Sequence, residues 1–182
     1  MIRLIDLLAA LLGLVLLSPV LLIVTIAGLF DTGRPIFVQE RVGRNKKPFK
    51  LIKFRTMSVD TKSVASHLAS HTSVTKLGAF LRKTKIDELP QLVNVLKGEM
   101  SLVGPRPNLF NQRDLMIKRD LLGVYDVLPG ITGLAQIQNI DMSTPELLAK
   151  VDKQMIDTLN LRDYFKYIIK TATGSGSGDA IK

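Results

Sequence analysis

The sequence predicts an α/β chain that is mainly helical, with an apolar helix-break-helix segment at its N-terminus and a small α/β body behind it. Three observations predict this. Leu7 to Phe30 is an uncharged run of 24 residues with Ser18-Pro19 near its middle. Ile36-Phe37-Val38 and Phe49 to Phe54 read as short strands flanking the basic turn Gly43-Arg44-Asn45-Lys46-Lys47-Pro48. Further on, apolar residues recur at helical spacing in several short segments. The 182 residues amount to one domain's worth of chain.

As one straight helix the apolar run would measure about 36 Å, enough to cross a hydrocarbon core of ~30 Å. It is too long for a signal peptide, and no small-residue cleavage site precedes the charged region. Proline at position 19 removes a backbone donor and clashes with the carbonyl four residues back, so the helix kinks or breaks there. The Ser18 hydroxyl can bond to the backbone groups that the break frees. Each arm then spans roughly 16 Å, too short to cross alone. Arg3 precedes the run. Arg34, Arg41, Arg44, Lys46, Lys47, Lys50, Lys53 and Arg55 follow it against only Asp31 and Glu40, which places the C-terminal side in the cytoplasm. A proline-kinked span and a hairpin that enters and leaves by the cytoplasmic face both satisfy these facts.

In the body, residues 58–75 are polar, contain both histidines (His67 and His71), and read as a surface loop or weak helix. Leu77 to Lys83 reads as a short helix. Leu89, Leu92, Val93 and Leu96 follow helical spacing up to a stop at Gly98. Thr84 and Asp87 fit a capping box, which puts Asp87-Glu88 at the head of that helix. Gly104-Pro105-Arg106-Pro107 must be extended or turned. Residues 109–122 read as a charged amphipathic helix. Pro129-Gly130-Ile131-Thr132-Gly133 reads as a turn leading into the apolar segment Leu134 to Ile137. Pro145, after Ser143-Thr144, opens a helix that Leu148, Val151, Met155 and Leu159 continue. Leu161 to Thr171 places Leu161, Phe165 and Ile168 on one side, with Arg162, Lys166 and Lys170 able to snorkel. That pattern suits an interfacial helix on a membrane and an ordinary core helix equally well. The Gly-Ser tail reads as flexible. The expected division is a membrane segment at 1–31, a catalytic body at 32–173 and a tail at 174–182.

Composition narrows the chemistry. No cysteine is present, so disulfides and thiolate metal sites are excluded, and two histidines in a polar stretch are a poor basis for a zinc site or a triad. A formal charge of +9 implies anionic partners. Aromatic residues at 5% leave no stacking surface for single-stranded nucleic acid, so no nucleic-acid partner is expected. Neither Gly-x-x-x-x-Gly-Lys nor Gly-x-Gly-x-x-Gly occurs. Against this basic background Asp87 and Glu88 stand side by side, with Arg82 and Lys85 adjacent, Lys53-Phe54-Arg55 as a further basic pair, and Arg106 held between prolines. Cationic surroundings keep an aspartate ionised. A carboxylate can attack phosphorus while Arg and Lys stabilise the equatorial oxygens. A Mg²⁺ ion bridging carboxylate and pyrophosphate would complete such a site.

These motifs resemble the monotopic phosphoglycosyl transferases, bacterial initiating sugar-phosphate transferases of surface-glycan assembly. The resemblance is carried in order by Ser18-Pro19, Lys53-Phe54-Arg55-Thr56-Met57, Asp87-Glu88-Leu89-Pro90-Gln91-Leu92, the run from Asn94 to Pro107, and Pro129 to Gln136. It implies transfer of a sugar 1-phosphate from a UDP-sugar to polyprenyl (undecaprenyl) phosphate, releasing UMP, with Mg²⁺ as cofactor. It further implies that Asp87 is the nucleophile and a metal ligand, with Glu88 as its acidic partner. Arg82 and Arg106 then become phosphate or nucleotide ligands, joined by Lys53 and Arg55. The Ser18-Pro19 break becomes a re-entrant hairpin among membrane phospholipids, on the cytoplasmic face of the bacterial inner membrane. Because larger family members carry extra spans and a further domain, this chain looks like the minimal catalytic form. Two alternatives stay open here: direct attack by lipid phosphate with Glu88 as base or metal ligand, and a membrane-anchored basic module that binds anionic lipid or nucleic acid without catalysis. Homo-oligomerisation and the identity of the sugar are also open, with 108–128 and 138–160 as the expected specificity regions.

Overall fold

In the computed structural model, which describes residues 2–60 and 73–173, helices α1 (Ile2–Leu16) and α2 (Ser18–Asp31) meet at Leu17 with a bend of 61°. Pro19 accounts for the bend, because its nitrogen has no proton for the Val15 carbonyl four residues back. The Ser18 hydroxyl donates to that carbonyl instead, at 2.8 Å. Among the described residues no single helix is long and apolar enough to cross a membrane, but the bent pair meets that test together.

Both arms are tied to the body. Along α1, Ala10 and Leu14 pack against Leu92 and Val95 of α4 (Gln91–Lys97). Arg3 donates to the Val95 carbonyl at 2.6 Å and the Met100 carbonyl at 3.1 Å, where the end of α4 leaves carbonyls without helical partners. The buried Asp6 carboxylate accepts from the Ser101 hydroxyl (2.9 and 3.0 Å), the Leu102 amide (2.8 Å) and the Tyr164 hydroxyl (2.6 Å). At the other end, Val24 of α2 packs on Phe54 and Leu81, and Asp31 accepts from the Thr75 hydroxyl at 2.7 Å. The outer faces of both helices stay apolar and exposed, including Leu8, Leu12, Leu16, Leu22, Ile23 and Phe30.

The expected strands are present and longer than predicted: β1 (Ile36–Val42) pairs antiparallel with β2 (Pro48–Phe54), Gln39 opposite Leu51. The basic turn between them takes left-handed φ at Asn45 (55°) and Lys46 (60°). Strand alternation turns Gln39, Arg41, Phe49, Leu51 and Lys53 inward, with Val38, Glu40 and Lys50 outward. Asn94 fastens α4 to this hairpin by accepting from Ile52 N at 3.1 Å and donating to Lys50 O at 2.7 Å.

Helix α3 (Lys76–Thr84) follows, with the Thr75 side chain accepting from Gly78 N at 2.9 Å. Gly78 lies directly on the Thr56 backbone; a Cβ there would stand 2.0 Å from the Thr56 oxygen. The capping box at Thr84 does not form. Its hydroxyl donates back to Phe80 O at 2.9 Å within α3, and α4 begins only at Gln91, behind Pro90. A single 3₁₀ turn, Ile86–Glu88, separates the two helices, and α4 stops at Gly98 (φ 85°) as expected.

Residues 130–132, read as a turn, instead form β4 (Gly130–Thr132), paired parallel with β3 (Ser101–Val103). Glycines permit this approach: a Cβ on Gly130 would lie 2.0 Å from Gly104 N. Helix α5 (Arg113–Leu121) starts later than expected, because Gln112 Oε1 accepts from Leu109 N at 2.8 Å and holds a turn there. The segment after β4 forms the short helix α6 (Leu134–Ile137), and α7 (Pro145–Thr158) and α8 (Leu161–Ala172) follow as expected. On α8 the buried side is Tyr164 and Tyr167, with Ile168 partly buried, whereas Leu161 and Phe165 are exposed. The tyrosine at 164 takes the core side because its hydroxyl reaches Asp6. The described residues are therefore mostly helical, with two small sheets. Of the polar stretch 58–75, Val74 forms a bridge with Met57 just before it, while 61–72 lie outside the described residues, as does the expected tail at 174–182.

Candidate active site

The site is built where the 3₁₀ turn meets the inner face of the β1–β2 hairpin. Lys85 (φ 57°) ends α3 in the left-handed region and turns the chain so that Asp87 and Glu88 point inward, 2% and 6% exposed. Carboxylates this buried need cationic or hydrogen-bonding partners. Arg106 supplies one, donating from Nη2 to Glu88 Oε1 at 3.0 Å. Lys53 and Arg41 reach the same region from the sheet, both buried. The Arg41 guanidinium donates to Pro107 O at 3.1 Å and Gln39 Oε1 at 2.6 Å. Together with Gln91, Leu51 and Ile131 these groups line an open cleft of about 290 Å³. Burial pushes the Lys85 ammonium down; the Glu88 carboxylate pulls it back up and Arg106 adds to the depression.

Behind the cleft a buried network sets the position of Arg106. Arg119, 1% exposed, donates from Nε and Nη2 to Asp152 Oδ2 (3.0 and 2.6 Å), and from Nη1 to Arg106 O (2.8 Å) and Asn108 Oδ1 (2.9 Å). The Tyr125 hydroxyl joins it by donating to Asn108 Oδ1 at 2.9 Å. Burial pushes the Asp152 carboxyl up, with Arg119 pulling against it. Pro105 and Pro107 stiffen the turn on either side of Arg106.

Of the residues singled out by sequence, Lys53, Glu88 and Arg106 converge on the cleft, with Asp87 on the same turn. Arg55 and Arg82 do not line it. Arg55 stacks over Phe37 (5.2 Å to the ring centre) and donates to Arg34 O at 2.9 Å; Arg82 donates to Thr56 Oγ1 at 2.8 Å. Ser18 and Pro19 lie at the helix bend. Sequence reasoning assigned no site role to Gln39, Arg41 or Gln91. A period-two reading of Gln39-Glu40-Arg41 against Leu51-Ile52-Lys53 would have put Gln39, Arg41 and Lys53 on one face. Among the described residues no three His, Cys, Asp or Glu side chains converge to hold a metal by themselves. The two adjacent carboxylates are oxygen donors of the kind Mg²⁺ takes when substrate phosphate and water supply its other ligands, so the donor set fits that ion.

Paired buried carboxylates on a turn, with Arg41, Lys53 and Arg106 in the adjoining cleft and an apolar bent pair alongside, make a site suited to phosphoryl substrates. The chain belongs to the bacterial sugar transferase family, whose family model matches residues 1–176. It is 42% identical over 155 residues to the UDP-glucose:undecaprenyl-phosphate glucose-1-phosphate transferase of Escherichia coli (strain K12), covering 82% of this chain and 33% of that protein. The protein of the same name from Caulobacter vibrioides is 38% identical over 179 residues, 93% of this chain and 67% of the relative. The Galactosyl transferase CpsE of Streptococcus agalactiae serotype III is 37% identical over 186 residues, 93% of this chain and 40% of the relative. The chain thus spans about a third of the Escherichia coli relative and two thirds of the Caulobacter one.

Proposed function

We propose that this chain transfers a sugar 1-phosphate from a UDP-sugar to undecaprenyl phosphate, releasing UMP. The observation that carries the reading is the buried Asp87-Glu88 pair on a turn ringed by Arg106, Lys53 and Arg41. In the first step an Asp87 carboxylate oxygen attacks the sugar-bearing phosphorus. The bond from that phosphorus to the bridging oxygen breaks, and UMP leaves with that oxygen. In the second step an oxygen of the lipid phosphate attacks the same phosphorus, its bond to Asp87 breaks, and the carboxylate is restored. Arg106, Lys53 and Arg41 neutralise the phosphoryl oxygens in both steps. Glu88 holds Arg106 in place at 3.0 Å. Arg82 and Arg55, which do not line the cleft, are assigned to the donor in this reading by the sequence motifs alone.

Mg²⁺ belongs to this reading as a cofactor held by Asp87, with Glu88 beside it; when bound it neutralises pyrophosphate charge. Chelation by EDTA should abolish UMP release and added Mg²⁺ should restore it.

The membrane arrangement is part of the same proposal: residues 1–31 form a re-entrant hairpin, 32–173 a catalytic body on the cytoplasmic face of the bacterial inner membrane, and 174–182 a tail. Two contacts support it. Arg3 at one end of the bent pair reaches Val95, and Asp31 at the other reaches Thr75, so both ends are tied to one body. The apolar faces left exposed are available to lipid. The exposed Leu161 and Phe165 side of α8 is available to the same surface.

The experiment is a UMP-release assay on detergent-solubilised protein, with UDP-glucose, UDP-galactose and UDP-N-acetylgalactosamine as donors and undecaprenyl phosphate as acceptor. Release that depends on one of these donors and is absent in Asp87→Asn supports the function; release from none of them refutes it.

A further inference from the structure

We propose that Gln91 hydrogen-bonds an uncharged hydroxyl of the sugar being transferred, which makes it a substrate-contacting residue. The inference rests on the proposed function. Gln91 is 5% exposed and lines the cleft beside Glu88 and Arg106, and its side-chain amide opens on that cleft without a hydrogen bond to any described residue. An amide held in place with its donor and acceptor open to a cleft is available to a ligand group there, and once the ligand covers it an unmade bond becomes costly. No duty in the fold accounts for it. Gln91 is the first residue of α4, and no side chain caps that helix.

The chemistry of the cleft assigns the missing partner. Arg41, Lys53 and Arg106 are the groups suited to phosphate oxygens, being charged donors only. An amide both donates and accepts, as a hydroxyl does, and the two satisfy each other without adding charge to a buried place. Leu51 and Ile131 give the same cleft an apolar wall for the C–H face of a sugar ring. The first sugar contact therefore lies on the nucleophile's own helix junction, four residues beyond Asp87, and not only in the 108–128 and 138–160 regions expected from sequence.

The test combines Gln91→Ala and Gln91→Met, the second keeping side-chain length, with whichever of UDP-glucose, UDP-galactose and UDP-N-acetylgalactosamine the wild type turns over. Both variants should keep or raise the thermal unfolding midpoint, because no internal hydrogen bond is lost. kcat/KM for the donor should fall by about tenfold or more, with inhibition by UMP unchanged. Monodeoxy forms of that donor complete a cycle: one deoxy position that costs the wild type activity should cost the variants nothing further. A lowered midpoint in both variants, parallel weakening of UMP inhibition, or persistence of every deoxy penalty would overturn the inference while leaving the transferase reading intact. Turnover of none of the three donors would remove both together.

Discussion

Asp87 and Glu88 are chemically alike and adjacent, yet their surroundings separate their work. Glu88 is bound to Arg106 at 3.0 Å, so its charge is committed to holding a cation over the cleft. Arg106 is in turn held through its own carbonyl by Arg119, whose charge is met by Asp152, both 1% exposed. Breaking a buried pair by removing one partner typically costs about 3–5 kcal/mol, because a bare charge remains inside. Arg119→Met and Asp152→Asn should each lower stability by that order in urea unfolding, and the double replacement Arg119→Met/Asp152→Leu should recover much of it. Asp87, Glu88, Lys53 and Arg106 were legible in the sequence as charges set against turn and proline signals. Gln39, Arg41 and Gln91 were not, since polar residues on the inward face of a strand or helix break the pattern that locates such faces; that conflict is characteristic of functional sites.

At the scale of elements, the β1–β2 hairpin and most helices follow from local pattern, and the missed strands, β3 and β4, are where pairing is distant. β4 is three residues long and pairs with a strand almost thirty residues earlier, so no local periodicity announces it and Pro129-Gly130 reads as a turn. The Thr84 capping box fails because α3 continues through that position. The bent pair was readable because one proline and one serine act on adjacent backbone groups. Pro19→Leu should restore the donor to the Val15 carbonyl, straighten α1–α2 and convert it toward a spanning segment, measured as loss of same-side labelling of its two ends. α8 yields a pH prediction. Burial, then the hydrogen bond to Asp6, raise the Tyr164 hydroxyl far above its ordinary value of 10.0. Its contribution is complete below that value and is lost as pH rises above it, where the unfolded tyrosine ionises and the folded one does not. The thermal midpoint should fall above about pH 10, and less steeply in Tyr164→Phe.

For the whole molecule, the consequence of the fold is that the apolar bent pair and the Asp87-Glu88 turn are one packed unit. α1 lies on α4, α4 follows the Asp87-Glu88 turn, and α2 packs on Phe54 and Leu81 beside it. Under the proposed function, a soluble nucleotide sugar and a lipid whose tail stays in the bilayer would meet at the same carboxylate. The chain has no cysteine, so single introduced cysteines report cleanly. Ile2→Cys and Asn45→Cys should react with a membrane-impermeant maleimide from the same side of sealed vesicles. Reaction from opposite sides would replace the re-entrant hairpin with a kinked span.

The most direct test of the account is intact-protein and peptide mass spectrometry after incubation with donor sugar nucleotide alone, no lipid acceptor being present. The account predicts a phosphosugar mass on the peptide containing Asp87, discharged when undecaprenyl phosphate is added and absent in Asp87→Asn. A stable adduct on another residue, or undiminished turnover in Asp87→Asn, would contradict it.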